Sequence, residues 1–394
     1  MGHWPYLRGV NSAAASATPA VFPISLLCLS NSWGGLELNT VRFADWMRQR
    51  GWPVQIITLA ESAIATRAAE LRLPLATLQN PWKAADIQAA GRLAGLLRGF
   101  GTRVLIVTRN GDLGLAVLCK TFRLPQLRLV YQQHMQLGLA KRGLLHTLRY
   151  RALDAWLSPL PGLARQVLEK TRLAAHKLHV VPLGIELEKF AQPGFSQAEA
   201  RQQLGLALPE GVVLLGLIGR FDDGKGQDFV VEALGKMREK HPQLQVLFVG
   251  EPTRNEGNAY REAVQKRVQA LGLTEVVHVR EFTPKPEVAY RALDISITAS
   301  VNETYGMVTI EAMATGLPVV ASATGGTLEI VRDGSTGLLF PLRDEAAFVA
   351  AVEQLLALPE LAQRLGKQAR QEALATYSHH RQCELTENVL RALI

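Results

Sequence analysis

Cysteine is scarce in this chain: Cys28, Cys119 and Cys383 are the only three in 394 residues, and none forms a CxxC pair. That excludes a disulfide framework and a thiolate zinc site, and it fits a reducing, cytoplasmic compartment. Long apolar runs are missing too, so no segment reads as a transmembrane helix. The opening MGHWPYLRGVNSAAASATPAVFP, residues 1–23, has Arg8 as its only charge and lacks the positive-then-apolar order of a signal peptide. It reads as a disordered leader. No Gly-x-Gly-x-x-Gly opens a first helix, which argues against a dinucleotide oxidoreductase, and no Gly-Lys-Ser/Thr completes a Walker loop. Clusters of Asp or His with metal-ligand spacing are absent, so no metal is expected. Aromatic residues do not interleave with basic ones as they do where bases stack, so nucleic acid is not expected as a partner.

Acidic residues are thin in the first half. Residues 1–190 hold 23 Lys and Arg against 10 Asp and Glu, while the remainder holds 20 against 25. The first half therefore carries a basic field, suited to an anionic acceptor or a membrane surface, or simply a solvated face. The stretch LAKRGLLHTLRYRALDAWLS, 139–158, sets Lys141, Arg142, Arg149 and Arg151 among leucines. Such a segment lies on an anionic membrane near a lipid-linked acceptor, or is a domain helix with a solvated basic face.

A chain of this length exceeds what one core usually organises, and 48% hydrophobic residues supply surface for two. Short continuous apolar runs alternate with amphipathic segments in both halves. Strands are expected at 24–30, 54–60, 104–108, 127–133, 155–160 and 178–184, then at 212–219, 244–250, 276–282, 295–300, 317–322 and 336–341. Strand-helix alternation implies parallel sheets covered on both faces. The pattern predicts two facing, doubly wound (Rossmann-like) α/β domains, 24–187 and 188–376, with a linker around ELEKFAQPGFSQAEARQQLG and ligands in the cleft between them.

Two segments carry the chemistry. GLIGRFDDGKGQDFVVEAL, 216–234, passes from a strand through a glycine-rich loop into a helix, with Arg220 and Lys225 in the loop. Two cations beside accessible backbone amides suit phosphate oxygens. ETYGMVTIEAMATGLPVV, 303–320, predicts a helix starting near Gly306 and stopping at Gly316, with Pro318 beyond. Its N-terminus offers amides to a pyrophosphate. Glu303, in the preceding loop, would then face hydroxyls or a developing positive charge, and Glu311, two turns into the helix, a pair of hydroxyls such as those of a ribose. That spacing fits a nucleotide diphosphate sugar.

Glu303, seven residues and Glu311 resemble the signature of retaining family 4 glycosyltransferases, and GRFDDGKGQDFVVEAL is similar to that family's donor-phosphate loop. NSWGGLELNTVRFADWMRQRGWPVQIIT, VVPLGIELEKF, VGEP, GGTLEIVRDGSTGLLFP and YSHHRQCELTENVLRALI resemble further pieces, in the family's order. The resemblance implies a GT-B fold, a final helix (about 377–394) crossing back to the first domain, and sugar transfer from a nucleotide diphosphate donor with retention. It implies Arg220 and Lys225 on the pyrophosphate, Glu303 on the sugar and Glu311 on the ribose. The backbone at Thr304, Tyr305, Gly306, Met307 and Val308 would line phosphate and sugar, Gly34 and Gly35 would approach from the other domain, and His134 would touch the sugar. Arg280 and Phe282, flanking Glu281, are expected near the nucleobase. Leu183 and Glu186 stand where the family usually has Asn and Asp.

No nucleophile is evident opposite Glu303, and same-face attack is the mechanism the resemblance implies, with the fixed cations replacing a metal and the donor a co-substrate, so that no cofactor is needed. Acceptor class stays open between saccharide, lipid-linked and small molecules. The alternatives are a nucleotide-sugar epimerase, which needs further acid/base residues in the cleft, and a binding protein that has lost its chemistry.

Overall fold

The computed structural model describes residues 21–79, 86–252, 257–283 and 285–394. Most of the expected leader lies outside them. Its end, however, is packed: Phe22 is 6% exposed and meets Trp52 edge-on, ring centroids 5.0 Å apart.

Seven parallel strands form the first sheet: β1 (Ile24–Leu27), β2 (Val54–Thr58), β3 (Leu75–Thr77), β4 (Val104–Val107), β5 (Arg128–Gln132), β6 (Ala155–Ser158) and β7 (Leu178–Val180), in the order β3-β2-β1-β4-β5-β6-β7. Six more form the second: β8 (Val213–Ile218), β9 (Leu244–Val249), β10 (Val277–Arg280), β11 (Ile295–Thr298), β12 (Val319–Ser322) and β13 (Leu338–Phe340), in the order β10-β9-β8-β11-β12-β13. Every expected strand is present. Their continuous apolar runs are explained by burial from both faces, complete along β1, β2 and β4. The strand that sequence reading missed, β3, is a short edge strand with two of its three residues exposed. It pairs on one side only and so carries no apolar run.

Each sheet reverses its strand order once, at β1/β4 and at β8/β11, which leaves a crevice at the carboxyl ends of those strands. The expected linker contains two short helices, Glu188–Ala191 and Gln197–Gln203. The last helix, His379–Ala392, packs on the first sheet: its Cys383 and Leu390 share a core with Val41, Met47, Ile24 and Ile56. The outgoing and returning crossings are bonded to each other, the Ile185 amide donating to Tyr377 O and the His379 amide to Ile185 O, both at 3.0 Å.

Candidate functional site

At the first switch point β1 and β4 bring Leu29 and Arg109 together. Arg109 Nη1 donates to Leu29 O at 2.5 Å and to Asp112 Oδ1 at 3.2 Å, while the Leu29 amide donates to Asp112 Oδ2 at 2.8 Å. Burial pushes the Asp112 carboxyl up, and these two donors hold it down. Arg109 is thus a cation fixed by its own loop, with about half its side chain open. Beside it, the buried Glu37 carboxylate accepts the Ser30 hydroxyl at 2.6 Å and the Gly34 amide at 3.0 Å, closing the start of helix Gly35–Gln49.

At the second switch point the loop after β8 carries Lys225 and the loop after β11 carries Glu303. Lys225 Nζ donates to Glu303 Oε2 at 2.7 Å, and Ser300 Oγ to the same oxygen at 3.2 Å. Gly306, at φ 98°, opens helix Met307–Thr315, and Gly316, at φ 87°, closes it, near the bounds expected from the sequence. The loop 303–306 rests on a second backbone: the Gly326 amide donates to Glu303 O at 2.6 Å, and a methyl group on Gly326 would lie 2.4 Å from Tyr305 O.

The two switch points face each other across a cavity of about 470 Å³. Of the predicted residues, Gly35, His134, Glu303, Thr304, Tyr305, Gly306, Met307 and Val308 line it, joined by Arg109, Glu37 and Leu183. His134, just past the end of β5, is 8% exposed, and its Nε2 has no hydrogen-bond partner among the described residues. Burial pushes its imidazole down to about 4, so it is neutral at pH 7. Tyr305 is buried and its hydroxyl donates to Leu183 O at 2.6 Å, tying this loop to the segment that links the sheets.

The remaining predicted residues sit outside the cavity lining. The Gly34 amide is engaged by Glu37, and the carbonyl of the exposed Arg220 accepts Gln227 Nε2 at 2.8 Å. Arg280 spends donors on Leu204 O and Gly205 O, carbonyls at the end of helix Gln197–Gln203, and Phe282 is 66% exposed. Glu311 accepts the Tyr290 hydroxyl at 3.0 Å. Among the described residues, one group of side chains could hold a metal ion, Glu188, His379 and His380 at the crossings, and it is separate from the cavity.

Sequence reading missed Arg109 and Glu37. Each left a signal: a cation directly after a buried strand, and a Gly-x-x-Glu helix start, 34–37.

Burial pushes the Glu311 carboxyl up to about 7, against the Tyr290 hydroxyl and the Arg42 charge that hold it down. A folded value above the usual 4.5 means that ionising Glu311 costs stability, the loss growing as pH rises from 4.5 through 7 and reaching on the order of 3 kcal/mol. Glu311→Gln is therefore expected to raise the thermal midpoint near pH 8 and to leave it nearly unchanged near pH 4.5. Melts of both proteins across that range check it; equal midpoints throughout refute the assignment.

The family model for glycosyltransferase family 4 matches residues 33–189, and that for glycosyl transferases group 1 matches 197–372. The D-inositol 3-phosphate glycosyltransferase of Geodermatophilus obscurus is 36% identical over 207 residues, covering 50% of this chain and 44% of that protein. This chain thus matches less than half of that relative's length. The enzyme of the same name from Thermomonospora curvata is 29% identical over 378 residues, 86% of each chain. Among solved structures, Anabaena HepE in complex with UDP shares the fold with a TM-score of 0.83 at 19% identity, covering 94% of this chain and all of that one. Two family models, one over β2 to β7 and the other over β8 to β13, together cover most of the chain and follow each other in order on a two-sheet GT-B fold: the chain belongs to family 4 of the glycosyltransferases.

Proposed function

We propose that this protein transfers a hexose-type sugar from a UDP- or GDP-linked donor to an acceptor hydroxyl, with retention, by attack on the face the diphosphate leaves. The observation that carries this reading is the ion pair Lys225–Glu303 at the start of helix Met307–Thr315, set across the cavity from His134 and Arg109. On this reading the helix N-terminus, Lys225 and Arg220 take the diphosphate, whose negative charge grows as the sugar leaves. Lys225 would exchange its partner Glu303 for phosphate, freeing that carboxylate for sugar hydroxyls. Neutral His134, holding an unused ring nitrogen, would contact the sugar, and Gly35 would let the opposite backbone approach. Glu311 would accept the ribose hydroxyls. The fixed cations would do the work of a metal. Nucleotide donors of this kind fit the company the fold keeps, since HepE binds UDP. Three free, buried cysteines fit a cytoplasmic site of action.

Thermal-shift screening against UDP, GDP, ADP and their sugars tests the reading, because a ligand at 100 times its Kd adds roughly 2.7 kcal/mol of stability. One nucleotide series is expected to raise the midpoint. With that donor, free nucleoside diphosphate should form only when acceptor is present, and the product's anomeric configuration should match the donor's. An isomerised nucleotide sugar formed without acceptor would instead assign an epimerase.

A further inference from the structure

Between Leu113 and Leu153 the chain carries seven Lys and Arg and no Asp or Glu. Within this stretch His134 and Met135 line the cavity. Past His134 the chain forms a loop and then helix Leu144–Arg151. The loop is anchored: Lys170 Nζ donates to Leu137 O at 2.6 Å and to Gly138 O at 3.1 Å, and the Lys141 amide donates to Lys170 O at 2.7 Å. The helix buries Thr147 and Tyr150. Away from that face, Leu144, Leu145 and Leu148 are 75%, 79% and 53% exposed, and Leu139 and the cavity-lining Met135 are 84% and 65% exposed. Five large apolar side chains are thus presented to solvent within one short, anchored segment, whereas isolated exposed apolar residues are the norm. Arg142 and Arg151, on either side of the three helix leucines, are exposed, and Lys141 and Arg149 nearby are partly buried. Lys141 and Arg149 repel each other and His146, so the cluster is short of negative charge.

We propose that the segment from Met135 to Arg151 docks on the surface of an anionic membrane. Leu139, Leu144, Leu145 and Leu148 enter the boundary between headgroups and acyl chains, and the flanking cations meet anionic headgroups. The cavity mouth at Met135 then faces acceptors carried in that membrane; this last clause alone rests on the transferase reading. Charge argues against a second copy as the occupant, because a self-complementary interface would set the acid-free stretch against itself.

The full chain, without donor, is co-sedimented with vesicles of phosphatidylcholine alone and of phosphatidylcholine and phosphatidylglycerol in equal parts. Binding is expected on the anionic vesicles and reversal by salt. The triple variant Leu144→Ser, Leu145→Ser, Leu148→Ser and the double variant Arg142→Glu, Arg151→Glu should each lower the partition about tenfold or more. Both should melt like the parent protein, since all five side chains are exposed. Absence of binding, or binding indifferent to both variants, overturns the proposal. So does a leucine variant that changes only from dimer to monomer on size exclusion. A parent protein that binds vesicles but shows no donor-induced thermal shift would sink the transferase reading and leave the docking surface standing.

Discussion

Replacing Lys225 by alanine is expected to lower turnover about 10²- to 10³-fold, the usual consequence of removing one fixed group that stabilises charge developing in a transition state. The change should spare the fold. Lys225 and Glu303 form a largely buried pair, 22% and 14% of their side chains exposed, so the change leaves the carboxylate with Ser300 as its remaining donor and costs more than a surface pair would, about 1 to 3 kcal/mol. The two readouts still separate: initial rates at saturating donor fall by orders of magnitude, while the thermal midpoint without donor falls by a few degrees. Lys225→Arg keeps a cation and should recover part of the loss, though a planar guanidinium fits a site shaped for an ammonium imperfectly. Near-normal turnover in Lys225→Ala would remove the phosphate role and leave the pair as a structural contact.

Gly326→Ala is expected to damage both stability and donor binding. Its added methyl would meet Tyr305 O at 2.4 Å, the Tyr305 carbonyl carbon at 2.8 Å and Tyr305 Cα at 3.0 Å. All three are backbone atoms, so no rotamer change relieves the contact and one of the two segments has to move. Overpacking of this kind typically costs about 1 to 3 kcal/mol. Because the Gly326 amide also holds Glu303 O, movement of either segment disturbs the loop carrying Glu303 and the start of helix Met307–Thr315, so the donor-induced thermal shift should shrink as well. Gly35→Ala is the control for stability, since nothing lies within 4 Å of a methyl there. If Gly326→Ala melts like the parent protein and keeps its donor response, the close packing of the two backbones does not position the site.

Much of this was legible in the sequence, for a physical reason. Central parallel strands are buried on both faces, so β4 and β8 appear as runs without a polar side chain, and β1 and β11 are interrupted only by small, buried Ser and Thr. Gly306 and Gly316 mark the ends of their helix because both adopt left-handed conformations that glycine takes without strain. The strand β3 escaped notice because an edge strand needs no such run. Phe22 was assigned to the leader because its partners, Trp52 and Arg103, are distant in sequence.

Site residues divide along the same line. Lys225 and Glu303 stood out because each lies in a loop between a strand and a helix, where local chemistry implies a ligand. The sequence by itself determined two parallel-sheet halves, the loops that follow their strands and the charged residues in those loops. Only the tertiary structure decided which of these meet: that Lys225 reaches Glu303 across 78 positions, that Arg109 and Glu37 line the same cavity as Glu303, and that Arg280 and Phe282 do not. Strand order is what sets this. Local patterns specify each strand, but its neighbours, and so the place where the loops open into a crevice, follow from packing the whole sheet.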